Sequence, residues 1–320
     1  MCMDCQRLIK AIDNYIRKVD DDLEDIFEEE GRADPGYTID RMLTLEDEIA
    51  AALLAETEYF IKEIKKRQTL SELWDDLDAI KQKDIYCDAI KTAVSEQLHD
   101  IVPRLVRKYV SFSDPEIRIT AISQRAYAWI DSWSGQLANL MKLTSNKQIE
   151  DILKRGLDTG SDISSVTLEI MQSGIRDEYY RARRVAVTEI LRAHNVAKQE
   201  AQLQNPCVKQ KLWRHTGAWK NEPRENHVAI DGQVVDVDKP FTLLGADGVT
   251  YYPMFPVDPE LPPGEAINCH CIAEDIVDEE ILAMPLEERQ QLQQQIIDEM
   301  DDEWEKELDA RNRAKAGIEG

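Results

Sequence analysis

Apolar residues recur three or four positions apart along most of the N-terminal two thirds of the chain, with polar residues between them. This spacing places the apolar side chains on one face and predicts a series of amphipathic helices. The first four patterns cover residues 3–30, 39–68, 70–83 and 85–109. Pro103 interrupts the fourth, and we expect a kink or break there because proline removes a backbone donor.

Four further helices follow in the pattern. A capping serine, a proline and an acidic residue at Ser113–Glu116 predict a helix start, and the apolar spacing continues to Leu143. Glycine stop signals bound two shorter helices, predicted over residues 145–157 and 161–172. A long helix is then predicted over residues 175–204.

The long helix carries a row of polar side chains. Its members are Arg184, Thr188, Arg192 and Asn195, at i, i+4, i+8 and i+11, with Glu189 and His194 beside them. Positions with this spacing share one face of a helix. So many donors and acceptors on one face favour a surface that docks against another part of the protein over one exposed to solvent.

Helical spacing stops at Asn205, and nine of the twelve prolines lie beyond it. Short extended pieces replace the helices, and Asp231-Gly232 between them is a tight hairpin signal. The predicted pieces are residues 211–215, 233–237, 241–244, 249–252 and 271–276. A module of about 70 residues is marginally stable alone, so we expect it to lean on the preceding helix.

These patterns predict an α+β fold in three parts. The first is a helical N-terminal region, residues 1–144. The second is a mixed module over residues 145–277, in which helices precede short strands. The third, residues 278–320, is an acidic C-terminal segment whose helix (285–314) can pack on a partner, on a sister copy or on its own domain.

Composition narrows the function classes. The 320 residues carry a formal net charge of −24, which disfavours binding to nucleic acid driven by phosphate contacts. Basic clusters at residues 62–67, 104–108 and 181–184 are typical of solvated helix faces. No apolar run is long enough to span a bilayer, and the chain begins without a secretory signal, so we expect a protein of the reducing cytoplasm without a membrane segment.

Histidine and cysteine side chains suggest one candidate metal site. His227, Cys269, His270 and Cys271 could converge on zinc, with Cys207 or His215 as a fourth ligand. Such a site would be structural. The alternative is a buried turn in which Asn268 satisfies backbone groups and Cys269 fills apolar space.

Catalytic constellations carry little weight in this sequence. Cys269, His227 and Asp231 could form a nucleophile–base–orienter set, and His227 with Glu189 could serve a metal-dependent hydrolase. However, the sequence contains no nucleophile elbow, phosphate-binding glycine loop or HExxH pattern. We therefore expect no enzymatic activity.

An ordered series of motifs resembles a known family. The series runs from the helix pair around Gly156 and Gly160 through Arg183–Asn195 (RRVAVTEILRAHN), Trp213, Arg224, His227 and Asp231-Gly232 to Asn268–Cys271 (NCHC). In this order, over residues 146–276, it is similar to the phage head morphogenesis family, which includes phage Mu F-like and SPP1 minor head proteins. That family usually has a basic residue between the two cysteines, where this chain has His270.

The resemblance implies a minor head protein of a tailed bacteriophage that acts in procapsid assembly at the portal vertex and in DNA packaging or ejection. The implied partners are the portal protein and a scaffold or major capsid protein. The implied location is the virion, in the capsid interior or portal region, and the host cytoplasm during assembly. We expect no cofactor apart from the zinc that the histidine and cysteine residues could bind. Two alternatives stay open: a zinc-stabilised enzyme acting on nucleic acid or protein, and a DNA-binding ejection factor.

Overall fold

The computed structural model describes residues 22–83, 86–172, 178–216 and 223–315. Within them helices dominate and a few short antiparallel strands follow, which confirms the predicted α+β class. Cys2, Cys5 and most of the first predicted helix lie outside the described residues. None of the described helices is long and apolar enough to cross a membrane.

Helices make up the described chain as far as Gln204, and the spacing of apolar residues explains their order. They are α1 (residues 22–29), α2 (Pro35–Ile64), α3 (Leu70–Asp75), α4 (Leu77–Gln82), α5 (Cys87–Ser113), α6 (Gln124–Thr159), α7 (Ile163–Gln172) and α8 (Glu178–Gln204).

Strands and short helices alternate after Gln204, and one long helix follows them. These elements are β1 (Val208–Arg214), α9 (Glu225–Ala229), β2 (Val234–Asp236), β3 (Leu243–Leu244), β4 (Thr250–Tyr251), α10 (Pro263–Ala266), β5 (Ile272–Val277), α11 (Glu279–Leu282) and α12 (Leu286–Lys315).

The predicted helix start at residue 113 was wrong, and of the kink or break expected at Pro103 the break does not occur. Pro103 lies inside α5, which continues to Ser113. The segment Ser113–Glu116 ends α5 and does not begin a helix; residues 114–123 are not helical. The buried Asp114 carboxylate accepts hydrogen bonds from the backbone N–H groups of Glu116 (3.0 Å) and Ile117 (3.3 Å), which fixes a turn there.

The helices predicted over residues 113–143 and 145–157 are one helix, α6, so Gly156 does not stop it. The helix ends near Gly160, whose φ of +67° is left-handed. The N–H of Ser161 donates to the carbonyl of Gly156, and that of Gly160 donates to Leu157. This pair of bonds is the Schellman arrangement, which satisfies carbonyls at the helix end.

All five predicted extended pieces contain strands. β1 is the middle strand of a three-stranded antiparallel sheet in the order β2-β1-β5, and β3 pairs with β4. Asp231-Gly232 is a turn, with Gly232 at φ +82°, but it does not join two strands as a tight hairpin. The chain between β1 and β2 includes α9, and the Gly232 N–H donates to the Trp213 carbonyl.

The chain divides into two compact units that are not continuous in sequence. The first draws on Met1–Arg41, Ile101–Arg125 and Ile190–Gly320, and the second on Met42–Asp100 and Ala126–Glu189. The division into residues 1–144, 145–277 and 278–320 stays a prediction from sequence.

An apolar cluster shared by five helices forms a core of the second unit. Its buried members are Phe60, Ile64, Leu70, Leu73, Leu77, Ile80, Ile149, Ile152, Leu153, Val166 and Ile170. Gly156 allows α6 and α7 to approach closely: a Cβ there would lie 2.5 Å from Cγ2 of Val166. The glycine is therefore required by packing.

The long C-terminal helix α12, predicted over residues 285–314, packs within the first unit. The guanidinium of Arg289 lies 2.8 Å from the Asp114 carboxylate, and both side chains are buried. Farther along, the Gln293 amide donates to the carbonyl of Arg118, and Trp304 is also buried. Packing on its own domain is thus the role the structure shows for this face of α12.

Candidate functional site

The C-terminal half of α8 holds the strand-containing module through polar side chains. Arg192 donates to the carbonyl of Val257 (3.1 Å) and Asn195 to that of Cys271 (3.4 Å). One and two turns on, Gln199 donates to Val237 (2.9 Å) and Gln202 to Ala273 (3.1 Å). For this half of the row, the expectation of a docked surface is confirmed. The module leans on α8 as its small size requires.

The N-terminal members of the row lie in the second unit. Glu189 is buried and accepts a hydrogen bond from the indole of Trp133 (2.7 Å). Thr188 is buried too, and its hydroxyl donates to the carbonyl of Arg184 one turn earlier. The guanidinium of Arg184 lies over the ring of Tyr180. These three residues therefore have partners within their own unit.

His194 faces away from the cysteines. Its Nδ1 lies 2.7 Å from the hydroxyl of Tyr109, and Phe27 packs edge-on against the imidazole. Burial, and secondarily the charge of Arg32, hold the pKa of His194 well below its usual range, so the ring is neutral. We assign it a structural part in the core of the first unit.

His227 is fixed by the residues around the short helix α9. Arg224, immediately before α9, donates to the carbonyls of Gly264 (2.8 Å) and Ile267 (2.7 Å), which anchors the loop leading to the cysteines. The fully buried ring of Trp213 packs edge-to-face on the His227 imidazole, with centroids 5.7 Å apart. The imidazole is thereby locked in orientation.

Cys269 and Cys271 reach the same side of the chain for a backbone reason. Asn268 has φ +51°, a left-handed conformation that asparagine tolerates, and it turns the chain toward β5. In the extended backbone that follows, alternate side chains point to opposite sides. The two cysteines therefore face His227, and His270 between them faces Glu30.

The structure does not bring His270 into the cysteine cluster. Its Nδ1 lies 2.8 Å from the carboxylate of Glu30, and its ring packs against Phe27. The backbone carbonyl of His270 accepts hydrogen bonds from Arg32 and Thr216. The predicted set of four ligands is thus reduced to His227, Cys269 and Cys271, because period-two alternation directs the middle residue away.

The remaining three side chains converge closely. Nδ1 of His227 lies 3.4 Å from Sγ of Cys269 and 3.6 Å from Sγ of Cys271, and all three ligand atoms lie within 4.8 Å of one another. On the other side of the ring, Nε2 lies 2.9 Å from the carboxylate of Glu265. All four side chains are buried.

Electrostatic coupling makes the two thiols unequal. The hydrogen bond with Cys271, and next the bond with His227, lower the pKa of Cys269 well below its usual value although burial opposes them. The pKa of Cys271 is raised in turn, first by its bond with Cys269 and then by burial. Burial lowers the pKa of His227, but its bonds with Cys269 and Glu265 outweigh that effect and raise it. The cluster thus favours one thiolate beside the imidazole.

Glu265 is the residue that sequence reasoning missed. Its carboxylate accepts from the His227 ring, from the amide of Asn226 (3.0 Å) and from the backbone N–H of Ala246 (2.8 Å). Burial raises its pKa, but these hydrogen bonds outweigh burial and lower it, so the group is a carboxylate. The only available signal was an acidic residue inside a proline-rich loop.

The other suggested partners of the cluster lie elsewhere. Cys207 contacts Asp114 at 3.5 Å, and the backbone N–H of His215 donates to Asp231. Neither residue is a fourth ligand, and the carboxylate beside His227 is Glu265, not Asp231. Cys269 is 2% exposed, so the contact between Cys269, His227 and the carboxylate is enclosed. Chemically, the cluster presents soft metal ligands, not an accessible nucleophile.

The residues of this site lie within a region that is similar to a known protein family. Residues 147–274 match a family model described as "Phage Mu protein F like protein". Over these residues the chain resembles the phage Mu protein F-like family. The Mu F-like region contains α7, α8, the sheet and the His–Cys–Cys cluster, and the resemblance inferred from the motifs is confirmed. The family indicates a phage head morphogenesis protein.

One curated relative is similar to the chain over a longer stretch than the family model matches. "Uncharacterized protein YqbB" of Bacillus subtilis (strain 168) is 37% identical over 204 residues, which is 64% of this chain and 66% of the relative. The chain thus spans just under two thirds of that relative's length. No solved structure matches the chain.

Proposed function

We propose that this protein is a minor head protein of a tailed bacteriophage, which acts in procapsid assembly at the portal vertex and takes part in DNA packaging or ejection. The observation that carries the proposal is the Mu F-like region over residues 147–274. The protein works inside the capsid near the portal, and in the host cytoplasm during assembly.

The residues of the family motif make contacts within the protein, which supports a role in head assembly over a role as an enzyme. Asn195, Trp213 and Arg224 bind backbone or pack in the interior of the first unit, so they build a rigid body. The His–Cys–Cys cluster is enclosed and does not line an open cleft. A rigid body with its polar residues used internally suits a protein that joins other proteins.

The exposed side of α12 is the surface we propose for a partner. The helix carries ten acidic and five basic residues, and Asp302 and Glu305 are exposed on it. Such a surface attracts a basic partner surface and repels a DNA backbone. The partner is the portal protein, with a scaffold or major capsid protein as the other assembly contact.

Co-purification with the portal protein of the same phage genome tests the proposal. We expect the two proteins to elute together at low salt and the minor head protein to be present in assembled particles. Asp302→Lys with Glu305→Lys should weaken binding, whereas the matched control, Glu225→Lys with Glu260→Lys, should not. No binding to portal together with absence from particles would refute the assembly role.

DNA binding is the outcome that would favour the ejection factor instead. With a net charge of −24, we expect no affinity for duplex DNA that falls steeply with salt. A mobility-shift titration at low salt measures this. Tight, salt-sensitive binding by the intact protein would replace the portal-binding proposal.

A further inference from the structure

We propose that His227, Cys269 and Cys271 bind a zinc ion that ties α9 to the beginning of β5. Two thiolates and an imidazole are ligands that zinc prefers. The ligands come from segments 42 and 44 positions apart in the chain, so the ion closes the module across its middle. The site goes beyond the proposed role in head assembly.

The distances fit zinc quantitatively. Tetrahedral zinc, with Zn–S of about 2.3 Å and Zn–N of about 2.0–2.1 Å, places sulfur and nitrogen ligands about 3.6 Å apart. Nδ1 of His227 lies 3.4 Å from Sγ of Cys269 and 3.6 Å from Sγ of Cys271. The two nitrogen–sulfur distances therefore already match the edges of such a tetrahedron.

The proton on the imidazole is in the position that metal binding needs. Both oxygens of Glu265 accept hydrogen bonds from N–H donors, as a carboxylate does. Because a carboxylate cannot donate, Nε2 of His227 carries the hydrogen and donates to Glu265. In the neutral ring Nδ1 then presents its lone pair to the two sulfurs. A carboxylate behind a ligating histidine is the usual second partner in zinc sites.

Charge balance favours an ion in this enclosed space. Two buried thiolates without a cation would be costly, whereas zinc with two thiolates and a neutral imidazole has no net charge. In the part of the chain that the structure describes, the candidate metal ligands that converge are His227, Cys269 and Cys271.

Metal analysis of the full chain, purified without chelator or histidine tag, is the direct test. We expect about one zinc per chain by multi-element mass spectrometry, and X-ray absorption should show two sulfur ligands at about 2.3 Å and nitrogen or oxygen at about 2.0–2.1 Å. Replacement with cobalt(II) should give sulfur-to-metal charge-transfer absorption. These readouts use the wild-type protein and do not depend on whether a variant folds.

Variants assign the ligands. Cys269→Ser with Cys271→Ser should abolish stoichiometric zinc, whereas Cys207→Ser, which changes a buried thiol outside the cluster, should retain it. Glu265→Gln keeps the size of the side chain but replaces the carboxylate that accepts from Nε2 of His227 with a neutral amide. We expect this variant to bind zinc about 10- to 100-fold more weakly. If the double variant does not fold, Glu265→Gln and the absorption spectrum still test the site.

Several results would overturn the assignment. They are substoichiometric metal with no cobalt uptake, copper or iron in place of zinc, a disulfide between the two cysteines found by mass spectrometry, or zinc retained by the double variant. Portal binding is measured separately on the same samples. Loss of the metal site would thus leave the assembly role standing, and failure to bind portal would leave the metal site standing.

Discussion

The buried lysine of the central strand leads to a prediction about pH and stability. Lys211 is fully buried on β1, on the same face as Trp213, and its ammonium donates to Gln199 (2.8 Å) and to the carbonyl of Met254 (2.8 Å). Burial lowers its pKa from 10.5 to about 7, although Asp238 and Asp258 oppose the effect. The folded protein therefore bears a cost for keeping this side chain charged.

The sign of the effect follows from proton binding. Below about pH 7 the lysine is protonated in both states, so the full cost of roughly 5 kcal/mol lowers stability. Between about pH 7 and the unfolded value of 10.5 the unfolded chain binds more protons, so stability rises with pH. At about pH 9.5 only about 1.4 kcal/mol of the cost remains.

Lys211→Met isolates this contribution. The variant loses two hydrogen bonds at every pH but has no ammonium to bury. We therefore expect the stability of the wild type relative to the variant to rise by about 3 kcal/mol from about pH 6.5 to about pH 9.5. Urea unfolding followed by tryptophan fluorescence at four pH values measures the difference.

Lys209→Met on the same strand is the matched control, because Lys209 is exposed. Its unfolding free energy should stay parallel to that of the wild type over this pH range. If the Lys211→Met curve also runs parallel to the wild type, the lysine is not held in a lowered-pKa state, and the reasoning is refuted.

Three other substitutions test packing, a buried ion pair and backbone conformation by urea unfolding. Gly156→Ala should destabilise the second unit by about 1–3 kcal/mol, because the new methyl group meets Val166 of α7. The control, Gly135→Ala in the same helix, has free space for the methyl group and should stabilise the unit by up to about 1 kcal/mol. Equal effects of the two substitutions would refute the packing argument. Asp114→Ala removes the buried one of the two carboxylates that pair with Arg289 and should cost about 1.5–3 kcal/mol, because Glu116 still compensates the charge; a cost under about 0.5 kcal/mol would contradict the pair. Asn268→Ala should cost about 1–2 kcal/mol more than Asn268→Gly, because both variants lose the asparagine side chain and only alanine is strained in the left-handed backbone; an equal loss would exclude that cause.

Local sequence patterns were sufficient to predict the positions of the strands in the module. Alternating or apolar runs bounded by proline and glycine marked all five, because strand and turn preferences act over a few residues. The polar row on α8 was also readable, since helical spacing alone assigns residues to one face. The acceptors of Arg192 and Asn195 could not be read from the sequence, because the backbone carbonyls of Val257 and Cys271 carry no side-chain signal.

The error at Ser113–Glu116 shows what local patterns omit. The same serine, proline and acidic residue suit a helix start, but Asp114 is used by Arg289, 175 positions away. That contact buries the carboxylate and fixes a turn after α5. No window of sequence near residue 113 contains this partner, so propensity was overridden by tertiary structure.

The three ligands of the candidate metal site could be predicted from the sequence, but the carboxylate behind the histidine could not. The three residues of the cluster were in the predicted set because their side chains suit zinc. Exclusion of His270 follows from the alternation of side chains in extended backbone, which the predicted set of four ligands did not take into account. Glu265 could not be found, because it lies 38 positions from His227 and meets it only through the folded loop.

The side chains of α8 that hold the strand-containing module donate to backbone carbonyls, which has a consequence for how the sequence can vary. The donors are Arg192, Asn195, Gln199 and Gln202. A carbonyl is the same in every amino acid, so these four hydrogen bonds depend on the path of the backbone and not on the identity of the side chain at the bonded position. Substitution of Val257 or Cys271 would act through the buried side chain itself, whereas a residue inserted before Val257 would move its carbonyl away from Arg192.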